Sequence, residues 1–287
     1  VGFEAPVDAH ERARLQMGGS NLGELLPEDE PMKFRSLLAA AEPAPRPIRI
    51  VADGFEASEK DVAKVCLSAG AELQKWAPGL PFENVVVVKG DQGPITLFQR
   101  NDRKEIVVRL DTRKTFWSQY AYQFAHELGH IHCGFRDGPR ENLWFEESVC
   151  ETASVFCLRA MAVTWKTAPP YPHWASYAPS LRSYADDVVA KRTYKAEAEQ
   201  KGLPKFYRDH AAEFRANPTD RELNGAVALF LLKYLEEKPT RWAAFRWLNA
   251  TARPKDESLQ DYLKRWEQNT PTEHKDSVRG IQKLFGF

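Results

Sequence analysis

The sequence predicts an α+β fold in which a small mixed sheet precedes a mainly helical C-terminal half. Three observations carry this prediction. Short runs rich in β-branched residues lie between residues 48 and 111, one amphipathic helical segment interrupts them, and nearly every later segment follows the 3.6-residue period of a helix. With 287 residues, 43% of them apolar and 28% charged, the chain can bury a sizeable core as a globular protein.

The N-terminal half supplies the strands. The predicted strands are IRIVA (48–52), NVVVVKG (84–90), ITLFQR (95–100) and EIVVRLD (105–111). A helix at 58–77 follows the first strand, and the polar turn NDRK joins the last two. Asp111 and Thr112 then predict the N-cap of a long helix that runs to Cys133, where Gly134 ends it.

The second half contains mostly helical patterns. Helices are predicted at 141–163, 185–201, 204–215, 219–237, 239–251 and 256–268, with a crossing rich in Pro and Tyr at 168–184. The chain thus divides into residues 1–47, an arm or linker with one short helix near 33–41; 48–134, the sheet and the histidine-bearing helix; and 135–287, a helical subdomain. The groove between the last two regions is the predicted functional site.

Charge and hydropathy exclude two classes of partner. Forty basic residues balance forty acidic ones, so no cationic field favours nucleic acid or an anionic membrane surface. The longest apolar run, AVALFLL at 226–232, is about two helical turns and too short to span a bilayer. The sequence leaves the oligomeric state open.

The start of the sequence and its cysteines bear on the cellular compartment. A chain that begins at Val1 is expected of a secreted or periplasmic protein without its signal peptide; a cytoplasmic protein is the alternative. Cys150 and Cys157 lie two helical turns apart and cannot bridge each other, but Cys66 or Cys133 could pair with one of them. The other interpretation is four buried free thiols.

The most informative stretch is His126-Glu127-Leu128-Gly129-His130. On a helix, His126 and His130 share one face one turn apart, so both imidazoles can reach one metal ion. Glu127 then lies beside the metal, where it can act on water. A catalytic zinc needs a third protein ligand, so the pattern predicts one more His, Asp, Glu or Cys nearby.

Neighbours on the same helix do not supply that ligand. His132 lies about 200° around the helix from His130 and is predicted to be a surface or otherwise satisfied histidine. Cys133 lies too far along the helix for its short side chain and is predicted to be core. The metzincin pattern fails, because its glycine and third-histidine positions hold Cys133 and Arg136.

The next helix carries Trp144-Phe145-Glu146-Glu147-Ser148-Val149-Cys150, and with the histidine pair it resembles the gluzincin metallopeptidases. The resemblance covers residues 48–161 in architecture and 124–157 in motif, and it implies a zincin-like catalytic domain with Zn²⁺ held by His126, His130 and Glu147. Glu146 is the alternative third ligand. By the same resemblance, Glu151 is implied to hydrogen-bond a ligand histidine and fix its orientation.

The resemblance implies hydrolysis of peptide bonds in peptide or protein substrates. Zinc lowers the pKa of its bound water, and Glu127 takes the proton as general base. The oxyanion needs a further donor. The candidates from the Pro-rich crossing are Tyr171, His173, Tyr177 and Tyr184, with Tyr207 and His210 behind them. A fainter likeness at 224–236 has no tyrosine where the leukotriene-hydrolase type places its catalytic one.

Two further expectations concern the substrate and a competing function. In zincins the substrate pairs with an edge strand before the histidine helix, so ITLFQR or EIVVRLD is expected to serve. The Gly-x-Met-Glu-Asn motif, by which aminopeptidases hold a free amine, is absent; an endopeptidase or specialised peptidase is therefore favoured. The alternative is a regulatory module that retains its metal without catalysis. Glu127 favours the enzyme, because a structural site does not require it.

Overall fold

The three-dimensional structure is a computed structural model that describes residues 48–77 and 84–287. The predicted arm at 1–47, including its short helix near 33–41, lies outside the described residues. Within them the α+β prediction holds: a four-stranded sheet precedes a helical second half.

The sheet has the strand order β1-β2-β4-β3. Its strands are β1 (Arg49–Ile50), β2 (Val85–Lys89), β3 (Ile95–Thr96) and β4 (Ile106–Leu110). β1, β2 and β4 run parallel, whereas β3 pairs antiparallel with β4, with Thr96 opposite Val108. Two strands were expected as the edge that a substrate pairs with. ITLFQR contains β3, which lies at an edge of the described sheet, whereas EIVVRLD contains β4, which is interior, so the expectation of an edge is wrong for the second.

Nine α-helices follow or interleave with these strands in the described ranges. They are α1 (Glu59–Gln74), α2 (Trp117–His132), α3 (Leu143–Thr164), α4 (Ala178–Ala190), α5 (Lys195–Lys201), α6 (Leu203–Ala216), α7 (Arg221–Glu237), α8 (Leu259–Asn269) and α9 (Lys275–Phe285). Three 3₁₀ segments connect some of them: Pro172–Tyr177, Pro239–Trp247 and Thr272–His274.

The histidine helix α2 begins five residues later than predicted. The carboxylate of Asp111, expected to cap it, instead accepts hydrogen bonds from Lys89 and from the backbone N–H of Gly93. Lys114 adopts a positive φ of 53°, which breaks the helical path before Trp117. The predicted end is right, because Gly134 follows the helix with φ 85° in the left-handed region.

The helical half departs from its prediction in three places. The helix expected at 185–201 is two helices, and the first begins at Ala178 with a proline in its first turn, where the missing N–H is tolerated. The helix expected at 239–251 is a 3₁₀ segment, in which Trp242 and Phe245, three residues apart, are both buried. Helix α9 was not predicted, although Val278, Ile281 and Phe285 mark its buried face.

Helix α3 is the centre of the molecule. Every residue from 144 to 158 is buried, including polar ones, and α3 packs against α1, α2, α4 and α7. One hydrophobic core extends from Ile48 near the first strand to Phe285 in the last helix. A carboxylate on α3 is therefore inside the protein and needs a polar or charged partner there.

No helix in the two described ranges is both long enough and apolar enough to cross a membrane.

Gly129 permits the close approach of α2 and α3. A Cβ atom added at residue 129 would lie 3.0 Å from both Cα and Sγ of Cys150. We expect Gly129→Ala to lower the free energy of unfolding by up to about 2 kcal/mol, because overpacking of about 1–3 kcal/mol exceeds the roughly 1 kcal/mol of helix propensity that alanine adds. Urea denaturation would measure the change.

The matched control is Gly70→Ala on α1. Its new Cβ would lie 3.6 Å from Cδ2 of Leu128 and 3.8 Å from Cε1 of Phe124, which is ordinary contact. This variant should be neutral or stabilised by up to about 1 kcal/mol. An equal loss of stability in the two variants would contradict the close-approach explanation.

Candidate metal centre

His126 and His130 lie one turn apart on the face of α2 that packs against α3. Their ring centroids are 5.2 Å apart, and the ring planes are inclined by 67°. Both rings face a cluster of carboxylates on α3 rather than solvent, since His130 is 2% exposed. The i, i+4 spacing thus brings two imidazoles to one small volume, as the sequence predicted.

Glu147 is the α3 residue that contacts both imidazoles. Its Oε2 lies 3.2 Å from Nε2 of His126, and its Oε1 lies 3.6 Å from Nε2 of His130. The three groups therefore converge through the two Nε2 atoms and one carboxylate. These are donor types that zinc accepts in catalytic sites.

Two further glutamates of α3 hold the opposite nitrogen of each histidine. Oε1 of Glu146 lies 2.8 Å from Nδ1 of His130, and Oε2 of Glu151 lies 3.5 Å from Nδ1 of His126. A carboxylate at Nδ1 favours the tautomer with its proton there and leaves Nε2 with a lone pair. Glu146, weighed from the sequence as an alternative ligand, lies on the far side of His130.

Tyr122 of α2 and side chains from two connections in the helical half hold these outer carboxylates. Oε2 of Glu146 accepts a hydrogen bond of 2.8 Å from Nδ2 of Asn249 and lies 3.4 Å from Nη1 of Arg253. Glu151 forms an ion pair with Arg192 and accepts a hydrogen bond from the Tyr122 hydroxyl.

Glu127 points towards the sheet instead of into this network. The Thr96 hydroxyl donates a hydrogen bond of 2.7 Å to its Oε2. Thr96 belongs to β3, so the carboxylate of Glu127 is fixed beside the edge strand. Glu127 therefore follows His126 along α2 but directs its carboxylate to the strand rather than to Glu146, Glu147 and Glu151.

The cluster holds more buried carboxyl groups than guanidiniums. Glu127, Glu146, Glu147 and Glu151 supply four carboxyl groups, and Arg192 and Arg253 supply two guanidiniums. A divalent cation between the histidines would lie among carboxyl groups that lower the cost of burying its charge.

The pKa of His130 reflects the same surroundings. Burial acts to lower it, but the neighbouring Glu147 and the hydrogen-bonded Glu146 outweigh burial and raise the pKa above its ordinary value. The cluster thus stabilises positive charge between the two helices.

Cys150 is a geometric competitor for the third ligand position. Ligand atoms of His126, His130 and Cys150 lie within 4.8 Å of one another. The thiol is fully buried, and burial raises its pKa well above the ordinary value. A thiolate would also lie near the carboxylates of Glu146 and Glu147, so we favour Glu147, which faces both Nε2 atoms, as the ligand.

The four residues proposed from sequence as oxyanion donors lie elsewhere. Tyr171 stacks on exposed His173 and lies under Nζ of Lys60 on α1. The Tyr177 hydroxyl lies 3.3 Å from Ser118, two turns before His126. The ring of Tyr184 packs on Tyr122, and it is the Tyr122 hydroxyl that donates to Glu151.

The two further candidates for the oxyanion donor, Tyr207 and His210, also contact other partners. Tyr207 stacks on Trp144 with ring centroids 5.5 Å apart, and His210 pairs with Glu197 and Glu213. The structure thus brings none of the proposed donors into contact with the histidine pair.

The remaining sequence expectations concern His132 and the cysteines. His132 is a core rather than a surface histidine: its Nε2 lies 2.8 Å from the carbonyl oxygen of Trp242, whereas its Nδ1 has no hydrogen-bond partner in the described part of the chain. Burial lowers its pKa to about 4. All four cysteines are buried and free, which overturns the disulfide alternative and supports buried thiols.

Sequence reasoning missed five residues that complete the cluster: Thr96, Tyr122, Arg192, Asn249 and Arg253. None carried a local signal: Thr96 is a β-branched residue of the kind common in strands, and the other four stand in ordinary helical or connecting sequence. Comparison with protein-family models, curated proteins and solved structures gives no significant match to this chain.

Proposed function

We propose that this protein is a zinc-dependent metallopeptidase of the gluzincin type with a zincin-like fold. The observation that carries the proposal is the convergence of His126 Nε2, His130 Nε2 and the Glu147 carboxylate, with Glu127 held separately beside the edge strand. The mixed sheet whose antiparallel edge strand precedes the histidine helix supports the zincin-like assignment.

The residues present fit zinc. His126, His130 and Glu147 would hold the ion, and two imidazoles with one carboxylate are a known donor set of catalytic zinc. The carboxylates at both Nδ1 atoms, and the excess of buried carboxyl groups over guanidiniums, also favour a divalent cation at this site. Bound zinc supplies a Lewis acid that polarises a carbonyl oxygen and lowers the pKa of water.

The chain's own residues then perform the proton transfers. Glu127 accepts a proton from the attacking water and returns it to the leaving amine, as general base and then general acid. The Thr96 hydroxyl donates to Oε2 of Glu127, which directs the other carboxylate oxygen to the reaction. His126, His130 and Glu147 remain ligands throughout.

The edge strand β3 supports a peptide substrate. The N–H of Leu97, directly after β3, donates to the carbonyl oxygen of Val107 on β4. Because hydrogen-bonded and non-hydrogen-bonded pairs alternate in an antiparallel ladder, the backbone N–H and C=O groups of Thr96 and Phe98 face away from β4. An extended peptide can add to this edge next to Glu127. Since the amine-anchoring motif of aminopeptidases is absent, we propose cleavage within chains or of a restricted substrate.

A regulatory metal-binding module is the second candidate function. The buried outer glutamates and arginines would serve a structural metal equally well. Glu127 separates the two functions, because it takes no part in holding the histidines and its carboxylate is instead fixed beside the edge strand.

We expect the purified chain to bind one zinc per protein and to cleave internal bonds of a mixed peptide library. Zinc would be measured by elemental mass spectrometry and products by peptide mass spectrometry. Treatment with 1,10-phenanthroline should abolish cleavage, and added zinc should restore it, because the metal is required for the reaction.

Two results would contradict parts of this proposal. Products that lose one N-terminal residue at a time would indicate an aminopeptidase. Stoichiometric zinc without cleavage of any peptide would favour the regulatory module.

A further inference from the structure

We infer that Arg192 and Arg253 are positioning residues for the metal centre, one behind each histidine, and that together they set the zinc affinity of the site. This inference rests on the proposed zinc site. Each arm of the arrangement runs from an imidazole through a glutamate of α3 to a guanidinium from the helical half: His126–Glu151–Arg192 and His130–Glu146–Arg253.

The first arm is built into the connection between α4 and α5. The guanidinium of Arg192 pairs with Glu151, lies 3.3 Å from the Tyr122 hydroxyl and donates to the carbonyl oxygen of Arg221. Its side chain is 9% exposed. A guanidinium so buried, with partners on three elements, has little freedom to move, and it fixes the carboxylate that faces Nδ1 of His126.

Gly225 on α7 makes the room for that guanidinium. A Cβ atom at residue 225 would lie 2.6 Å from Cζ, Nε and Nη1 of Arg192. The glycine is the fifth residue of α7, inside the helix, where alanine would be favoured by about 1 kcal/mol. The position of Arg192, rather than the conformation of the helix, therefore requires glycine here.

The second arm comes from the segment between the 3₁₀ turn Pro239–Trp247 and α8. The side chain of Arg253 is 5% exposed and reaches both Glu146 and the carbonyl oxygen of Arg136. Asn249 donates to the same Glu146 oxygen, and its backbone N–H donates to the carbonyl oxygen of Cys133 at the end of α2. Asn249 thus links the carboxylate of Glu146, which faces Nδ1 of His130, to the end of the histidine helix.

The arginines have two opposing effects on a bound cation. Their positive charges alone would weaken its binding, although they offset the cost of burying the carboxylates of Glu146 and Glu151. They also hold Glu146 and Glu151 in place, and those carboxylates hold the imidazoles with Nε2 directed at the metal. Losing either guanidinium should therefore loosen one histidine as a ligand.

The test measures metal binding by full-length protein, apart from any activity. Zinc affinity would be determined by competition with a chromophoric chelator for wild type, Arg192→Met and Arg253→Met. We expect each variant to bind zinc about 10- to 100-fold more weakly, the range typical for partners of ligating groups. The absorption spectrum of the Co²⁺ form should change as well, because it reports the arrangement of the ligands.

Gly225→Ala provides a second test that removes no charge. Alanine adds helix propensity but displaces the buried Arg192 guanidinium, so this variant should be less stable than wild type yet still folded, and it should bind zinc about tenfold or more weakly. It keeps the inference testable if an arginine variant fails to fold.

The matched control is Arg159→Met, which removes a guanidinium from α3 itself. Arg159 pairs with Glu236 and Asp186, and neither partner contacts the histidines. Unchanged zinc affinity and Co²⁺ spectrum in this control, with weakening in the other three variants, would support the inference. Wild-type affinity in Gly225→Ala and in a folded Arg192→Met or Arg253→Met would overturn it. A wild-type chain that binds no zinc would instead overturn the proposed function, and the inference with it.

Discussion

Replacing Glu127 with Gln is expected to lower peptide hydrolysis by at least about a hundredfold while zinc content stays at one per protein. General acid–base catalysis commonly contributes about 10²- to 10⁴-fold, and glutamine cannot accept the proton. Zinc should remain because Glu127 contacts neither histidine; its carboxylate is held by Thr96. The measurements are kcat/KM on a peptide identified from the library and metal content of the same preparation.

Thr96→Val is the companion variant. Valine keeps the shape of the side chain but removes the hydroxyl that donates to Oε2 of Glu127. We expect a smaller reduction in kcat with zinc and fold unchanged, since the base is still present but less well oriented. Full activity in Glu127→Gln would refute the hydrolytic mechanism, whereas loss of zinc in that variant would assign Glu127 a binding role.

The parts of the site that sequence could predict are those fixed by local geometry. Helical periodicity alone places His126 and His130 on one face, and this needs only the spacing within one helix. The choice of Glu147 on α3 rested instead on the resemblance to gluzincin peptidases, and in the structure its carboxylate lies beside both imidazoles.

The outer residues of the site could not be predicted because nothing local marks them. Arg192 lies 41 residues beyond Glu151, and Arg253 lies 107 residues beyond Glu146, each in a connection between helices. An arginine in a polar connection usually faces solvent. Only the packing of α7 and α8 against α3, a tertiary property, brings these two inside.

The errors in the fold have a related cause. Asp111 and Thr112 have the composition of an N-cap, but the Asp111 carboxylate is used by the backbone of Gly93, which lies 18 residues earlier. Trp242 and Phe245 follow a pattern compatible with an α-helix, yet the segment is 3₁₀. Competing partners and tertiary contacts override local preference in both places.

Replacing Glu147 with Gln is expected to reduce zinc affinity more than any other single change on α3. The variant loses an anionic ligand that faces both Nε2 atoms, at 3.2 and 3.6 Å. We expect the loss to exceed the roughly 10- to 100-fold that applies to partners of ligating groups, and Glu146→Gln should fall inside that range. Zinc competition titrations on the two variants would measure the difference.

Cys150→Ala separates the two geometric choices for the third ligand. If Glu147 binds the metal, this variant should keep wild-type zinc affinity, because the thiol contributes only packing against Gly129 and Cys133. The Co²⁺ form offers a second readout, since a thiolate ligand gives an intense charge-transfer band in the near ultraviolet and a carboxylate does not. A strong band in wild type that disappears in Cys150→Ala, together with unaltered affinity in Glu147→Gln, would move the third ligand from the carboxylate to the sulfur. A larger loss of zinc affinity in Glu146→Gln than in Glu147→Gln would assign the third ligand to Glu146. The structure argues against that assignment, because Glu146 contacts Nδ1 of His130, at 2.8 Å, rather than Nε2.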